Sequence, residues 1–124
     1  MSDKEIDILI IDDDPDLGIM VSHVLKYAGY SIKYIPVADH VADVINATHP
    51  RLVLMDMLLS GVDGRDICRD LRNRDYTKDL NIIMMSANPD AGPSCIGAGA
   101  NEFISKPFDI KPFLETVKHH LYTC

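Results

Sequence analysis

The sequence predicts an α/β fold, a five-stranded parallel sheet covered by helices on both faces, and three observations carry the prediction. Short apolar runs alternate with segments of helical periodicity along all 124 residues. The runs lack the in-out alternation of a sheet with one wet face, so both faces are expected to be buried. Polar residues follow the runs directly, at the carboxyl edge where open α/β sheets bind ligands.

The apolar runs lie at residues 6–11 (IDILII), 31–35 (SIKYI), 52–55 (LVLM), 81–85 (NIIMM) and 102–104 (EFI). After the first, Leu17, Met20, Val21, Val24, Leu25 and Ala28 have the spacing of one helix face. Pro15 suits the first turn of that helix, Asp14 its N-cap and Gly29 its end. A second helix is expected to bury Val37, Val41, Val44 and Ile45 and to close at the His49-Pro50 pair. A third spans residues 64–72 with Ile67, Cys68 and Leu71 inward. Residues 87–98 (ANPDAGPSCIGA) hold Gly92, Pro93 and Gly97, which predict a short or distorted fourth helix. Ile110, Phe113, Leu114, Val117 and Leu121 form the clearest stripe, in the fifth. Strict βα alternation implies right-handed crossovers and a parallel sheet.

Composition narrows the function classes. A chain of this length, 47% hydrophobic and 25% charged, can bury a core without a disulfide or structural metal. Cys68, Cys95 and Cys124 are odd in number, form no CxxC pair and read as reduced thiols. A net charge of -7 without any Lys/Arg run argues against a nucleic-acid surface. No apolar stretch approaches the roughly 18 residues of a membrane helix. The charged start, MSDKEID, lacks the apolar core of a signal peptide. One cytoplasmic domain over residues 1–124, with no direct nucleic-acid or membrane contact, is expected.

The residues at the strand ends suggest a chemistry. Asp12, Asp13 and Asp14 follow the first run, Asp56 the third, Ser86 the fourth, and Lys106 with Pro107 the fifth. Grouped carboxylates repel one another and call for a cation; Mg²⁺ suits an all-oxygen set. A carboxylate beside such an ion can attack phosphorus. Metal, ammonium and hydroxyl can then each take one of the three phosphoryl oxygens. Lys106 supplies the ammonium, and Ser86 the hydroxyl. Asp14 reads as the helix cap. His23, His40, His49, His119 and His120 are expected at the surface, the adjacent last two facing apart, while Met55, Met57, Met84 and Met85 fill the core.

Four motifs, ILIIDDDPD (8–16), LVLMDMLLSGVDG (52–64), IIMMSAN (82–88) and GANEFISKPF (99–108), occur in this order. Together they resemble the response-regulator receiver family of two-component signalling over essentially the whole chain. The resemblance implies a flavodoxin-like (βα)5 doubly wound sandwich with strand order 2-1-3-4-5. It implies that Asp56 is the phosphoacceptor and itself a Mg²⁺ ligand. Asp13 then binds the metal directly, Asp12 acts through water, and the Leu58 backbone carbonyl is a further ligand. Ser86 matches the switch hydroxyl, Lys106 the family lysine, and Phe103 the aromatic switch position, here without a tyrosine hydroxyl. A histidine kinase or phosphotransfer protein is the implied donor. A downstream protein is the implied target, reached through the fourth helix, fifth strand and fifth helix, with a phosphorylation-dependent dimer among the allowed states. Catalysis is limited to the domain's own phosphorylation and dephosphorylation.

Two departures stand out. The stretch from Ser86 to Lys106 is a little shorter than in familiar members, in the fourth-helix region. Ser60 replaces a common proline, so its turn is expected to be looser. The last helix ends near Cys124, so output is expected from another molecule or from another part of a longer chain. Two rival readings remain. One is a haloacid-dehalogenase-like phosphatase with Asp12 as nucleophile, although Asp16 stands where Thr or Val is usual. The other is a receiver fold used only for docking.

Overall fold

The structure, a computed structural model, describes residues 5–122, so the Cys124 thiol lies outside the described residues. The main sheet contains β1 (Ile8–Ile11), β2 (Ile32–Ile35), β3 (Leu52–Asp56), β4 (Asn81–Ser86) and β5 (Glu102–Ser105). The helices are α1 (Pro15–Tyr27), α2 (Val41–Thr48), α3 (Gly64–Arg72), α4 (Gly92–Gly97) and α5 (Ile110–Tyr122). Strand order is β2-β1-β3-β4-β5 with every pair parallel, the doubly wound arrangement expected.

The period of two along each strand divides the core into two layers. Leu9, Ile11, Val53, Met55, Ile82 and Met84 face α2, α3 and α4, packing with Val41, Ile45, Cys68, Leu71 and Cys95. Ile8, Ile10, Leu52, Leu54, Ile83 and Met85 face α1 and α5, packing with Val21, Leu25, Phe113, Val117 and Leu121. Each fully buried aliphatic side chain contributes about 1.5–3 kcal/mol. This double covering is why the three central strands read as unbroken apolar runs. The edge strands β2 and β5 are only partly buried, and Lys33 is exposed. The four core methionines are buried as expected.

Helix details depart from the periodic reading. Asp14 caps α1, accepting from the Asp16 and Leu17 amides at 3.1 and 3.4 Å. However, the buried face of α1 is Gly18, Val21, Ser22 and Leu25, while Met20 is 39% exposed and Ala28 is exposed. The reason is Tyr34 on β2: a Cβ at Gly18 would stand 2.4 Å from its ring, so α1 turns small residues toward the sheet there. Ser22 tolerates burial because its hydroxyl donates to the Gly18 carbonyl at 2.7 Å. Val37 lies before α2 and is 55% exposed, since the helix begins only after His40. Ile110, in the first turn of α5, is also exposed. His120 is not a simple surface residue. Its ring pairs with Glu102 at 3.1 Å and meets the His119 ring edge-on at 5.1 Å between centroids, so the two neighbours do not face apart. The fourth helix is short as predicted, six residues after a single 3₁₀ turn at Pro89–Ala91.

Candidate functional site

The parallel sheet delivers its site residues from separate strands to one edge. Asp12 and Asp13 follow β1, Asp56 ends β3, Ser86 ends β4 and Lys106 follows β5. Backbone bonds register these ends: the Met57 amide donates to the Met85 carbonyl and the Lys106 amide to the Ser86 carbonyl, both at 2.8 Å. At the start of α3, the Gly64 amide donates to the Met57 carbonyl at 2.6 Å. A Cβ at Gly64 would stand 2.5 Å from the Asp56 carbonyl oxygen, so only glycine permits this approach.

Asp12 is fully buried, and both of its carboxylate oxygens are engaged. Oδ1 accepts from the Asp14 amide and Oδ2 from Lys106 Nζ, each at 2.9 Å. Lys106 Nζ also lies 3.2 Å from Asp56 Oδ1. One oxygen each from Asp12, Asp13 and Asp56 falls within 4.8 Å of the others. Occupation of both Asp12 oxygens disfavours Asp12 as a nucleophile.

Two of the three carboxylates, Asp12 and Asp56, share the Lys106 ammonium, and the titration of the site reflects it. Burial pushes the Asp56 carboxyl up, and the Asp12 and Asp13 charges add to this, while Lys106 offsets only part. For Lys106, burial is the largest single influence and lowers its pKa. The hydrogen bonds to Asp12 and Asp56 and the charges of both carboxylates together outweigh it, leaving the ammonium favoured. The excess negative charge and the all-oxygen donor set fit a hard divalent cation such as Mg²⁺. Asp12, Asp13 and Asp56 are the groups that could hold it.

Asp56, Met57, Leu58, Ser86, Ala87, Asn88 and Lys106 line one cleft of about 470 Å³. Within it Ser86 is buried and its Oγ accepts from the Asn88 amide at 3.0 Å, leaving the hydroxyl proton available to another acceptor. Phe103 stands apart from this group. It is half-buried on β5, opposite Met84, with its ring against the first residue of α4, Gly92.

Two features escaped the sequence reading. Tyr34 donates its hydroxyl to the Asp12 carbonyl at 2.9 Å, and burial, then the three neighbouring aspartates, push its pKa up and keep the proton on. No sequence signal marks it. The second is the loop after Asp56, which is not looser but a tight hairpin. Leu58–Leu59 pairs with Val62–Asp63, leaving Ser60 and Gly61 as the turn, with φ of 48° and 87°. Ser60 also donates its amide and its hydroxyl to Asp13 Oδ2, at 2.9 and 2.8 Å. A Ser-Gly pair between apolar residues was the available signal.

Comparison with known proteins agrees with this geometry. The family model for the response regulator receiver domain matches residues 8–118. The transcriptional regulatory protein BaeR of Escherichia coli O6:H1 is 33% identical over 119 residues, covering 94% of this chain and 48% of that protein. The DNA-binding response regulator MtrA of Mycolicibacterium smegmatis is 33% identical over 116 residues, covering 92% of this chain and 50% of MtrA. The chain thus spans about half the length of the curated relatives it matches. The receiver domain of NtrX from Brucella abortus superposes with a TM-score of 0.86 at 30% identity, covering 95% of this chain and all of that one. Fold, edge geometry and matched sequence agree: the chain belongs to the response regulator receiver domain family of two-component phosphorelay signalling.

Proposed function

We propose that residues 1–124 form one receiver domain that takes a phosphoryl group onto Asp56 from a histidine kinase or phosphotransfer protein. The observation that supports this most is the placing of Asp56 at a strand end, 3.2 Å from Lys106, with Asp12 and Asp13 oxygens within 4.8 Å. An Asp56 oxygen attacks phosphorus; the new O–P bond forms as the N–P bond of a phosphohistidine breaks, and the imidazole leaves with a proton from solvent. Lys106 and the Ser86 hydroxyl meet the phosphoryl oxygens, the first as a charge and the second as a donor. Mg²⁺, when bound, supplies positive charge that offsets both the carboxylates and the incoming phosphate.

As Ser86 turns toward the phosphoryl group it gives up its bond to the Asn88 amide, just before the turn that leads into α4. Phe103 packs beneath the start of that helix, so the two together bias the α4-β5-α5 surface toward a second arrangement. A downstream protein reads that surface, and a phosphorylation-dependent dimer is an alternative reader. The chain's only catalysis is its own phosphorylation and dephosphorylation. No helix among the described residues is long and apolar enough to cross a membrane, and a cytoplasmic site of action suits this exchange.

Intact mass after incubation with acetyl phosphate and Mg²⁺ tests the reading. One added phosphoryl group in the parent, lost in Asp56→Asn and on chelation, is the expected result. An adduct that survives Asp56→Asn would move the nucleophile elsewhere. No adduct, even with a kinase donor and rapid quench, would leave a docking module.

A further inference from the structure

The hairpin after Asp56 has a feature that its two-residue turn does not by itself require. Turns of this kind need positive φ at both central residues, which glycine accepts and other residues resist. Gly61 fills one place, but Ser60 holds φ +48° with a side chain. It does so while donating both its amide and its hydroxyl to one oxygen of Asp13. Two bonds to a carboxylate offset the strain of that conformation. A proline here would have no amide proton and a φ fixed near −65°, so it could neither make the bonds nor enter this turn.

We propose that Ser60 is a positioning residue for the cation site, a clasp that ties the Asp13 carboxylate to the turn carrying the Leu58 carbonyl. This rests on reading Asp13 as a direct ligand. The two groups come from different loops, one after β1 and one after β3. Asp13 is repelled by Asp12 and Asp56 and is only partly buried, so an untethered Asp13 carboxylate would swing toward water. Holding Oδ2 at Ser60 sets the plane of the carboxylate before the cation arrives, so binding does not have to order it.

Isothermal titration of the unphosphorylated protein with Mg²⁺, alongside urea unfolding in EDTA, tests the assignment. Ser60→Gly retains the amide and suits positive φ, removing only the hydroxyl bond. Its stability is expected to equal or exceed the parent's while its Mg²⁺ dissociation constant rises about 3- to 10-fold, the range of one hydrogen bond. Ser60→Pro removes both bonds and the turn, and a larger loss is expected. A merely structural serine would move stability and affinity together, so their opposite movement in Ser60→Gly identifies positioning. A Ser60→Gly constant equal to or tighter than the parent's overturns the proposal. Asp13→Asn separates the two levels. If it binds Mg²⁺ as the parent does, the reading of Asp13 as a ligand fails and the clasp with it; if it loses binding while Ser60→Gly does not, the clasp alone fails.

Discussion

Replacing the proposed acceptor should make the metal-free protein more stable, because function has grouped charges that folding alone would separate. In Asp56→Asn one carboxylate of the three becomes neutral with nearly the same shape. At an effective dielectric of about 20, its repulsion with Asp12 and with Asp13 across at most 4.8 Å is about 3–4 kcal/mol each. Its attraction to Lys106 at 3.2 Å is about 5 kcal/mol. The balance is repulsive by about 2 kcal/mol, and Lys106 keeps Asp12 as a partner after the change. Relief of carboxylate burial adds to this, so a gain of about 1–3 kcal/mol is expected after allowing for solvent screening. The pH dependence has a definite sign. Burial and the neighbouring acids raise the Asp56 pKa in the folded state. That favours its protonated form, so the group supports the fold below the ordinary Asp range and ceases to as pH rises through the raised value. The advantage of Asp56→Asn should therefore be absent in acid and open across that window. Added Mg²⁺ should reverse the order, since ligand at 100 times its dissociation constant stabilises the parent by about 2.7 kcal/mol. Urea unfolding of both proteins at neutral pH, in EDTA and in Mg²⁺, reads all of this. Equal or lower stability of Asp56→Asn in EDTA would refute the charge argument.

Two glycines give further predictions. Gly64→Ala would push against the Asp56 carbonyl, a backbone atom that cannot step aside, so it should cost about 1–3 kcal/mol in urea and slow adduct formation with acetyl phosphate. Parent-like rates would show that the Asp56 strand end has slack. Gly18→Ala meets the movable Tyr34 ring first and should displace its hydroxyl from the Asp12 carbonyl, at about 1 kcal/mol. Its effect in Gly18→Ala/Tyr34→Ala should be smaller than in the parent background, and strict additivity would count against the contact.

Local signals in the sequence determined the element order, the parallel sheet, the N-cap at Asp14 and the weak fourth helix. Apolar runs report burial on both faces, and cap, Pro and Gly chemistry acts within a few residues. The edge chemistry was legible too, because a parallel sheet sends every strand's carboxyl end the same way; reading Asp12, Asp13, Asp56, Ser86 and Lys106 off the run ends amounts to reading one edge. Tertiary structure alone decided which face of α1 is buried. Periodicity marked Met20 and Ala28, but the Tyr34 ring from the next strand selected Gly18 and Ser22. It also paired His120 with Glu102 across two elements, and turned an apparently loose Ser60 into a clasp on Asp13. Each of these depends on a partner many residues away in the chain, and a side chain's own sequence neighbourhood carries no record of what will be packed against it.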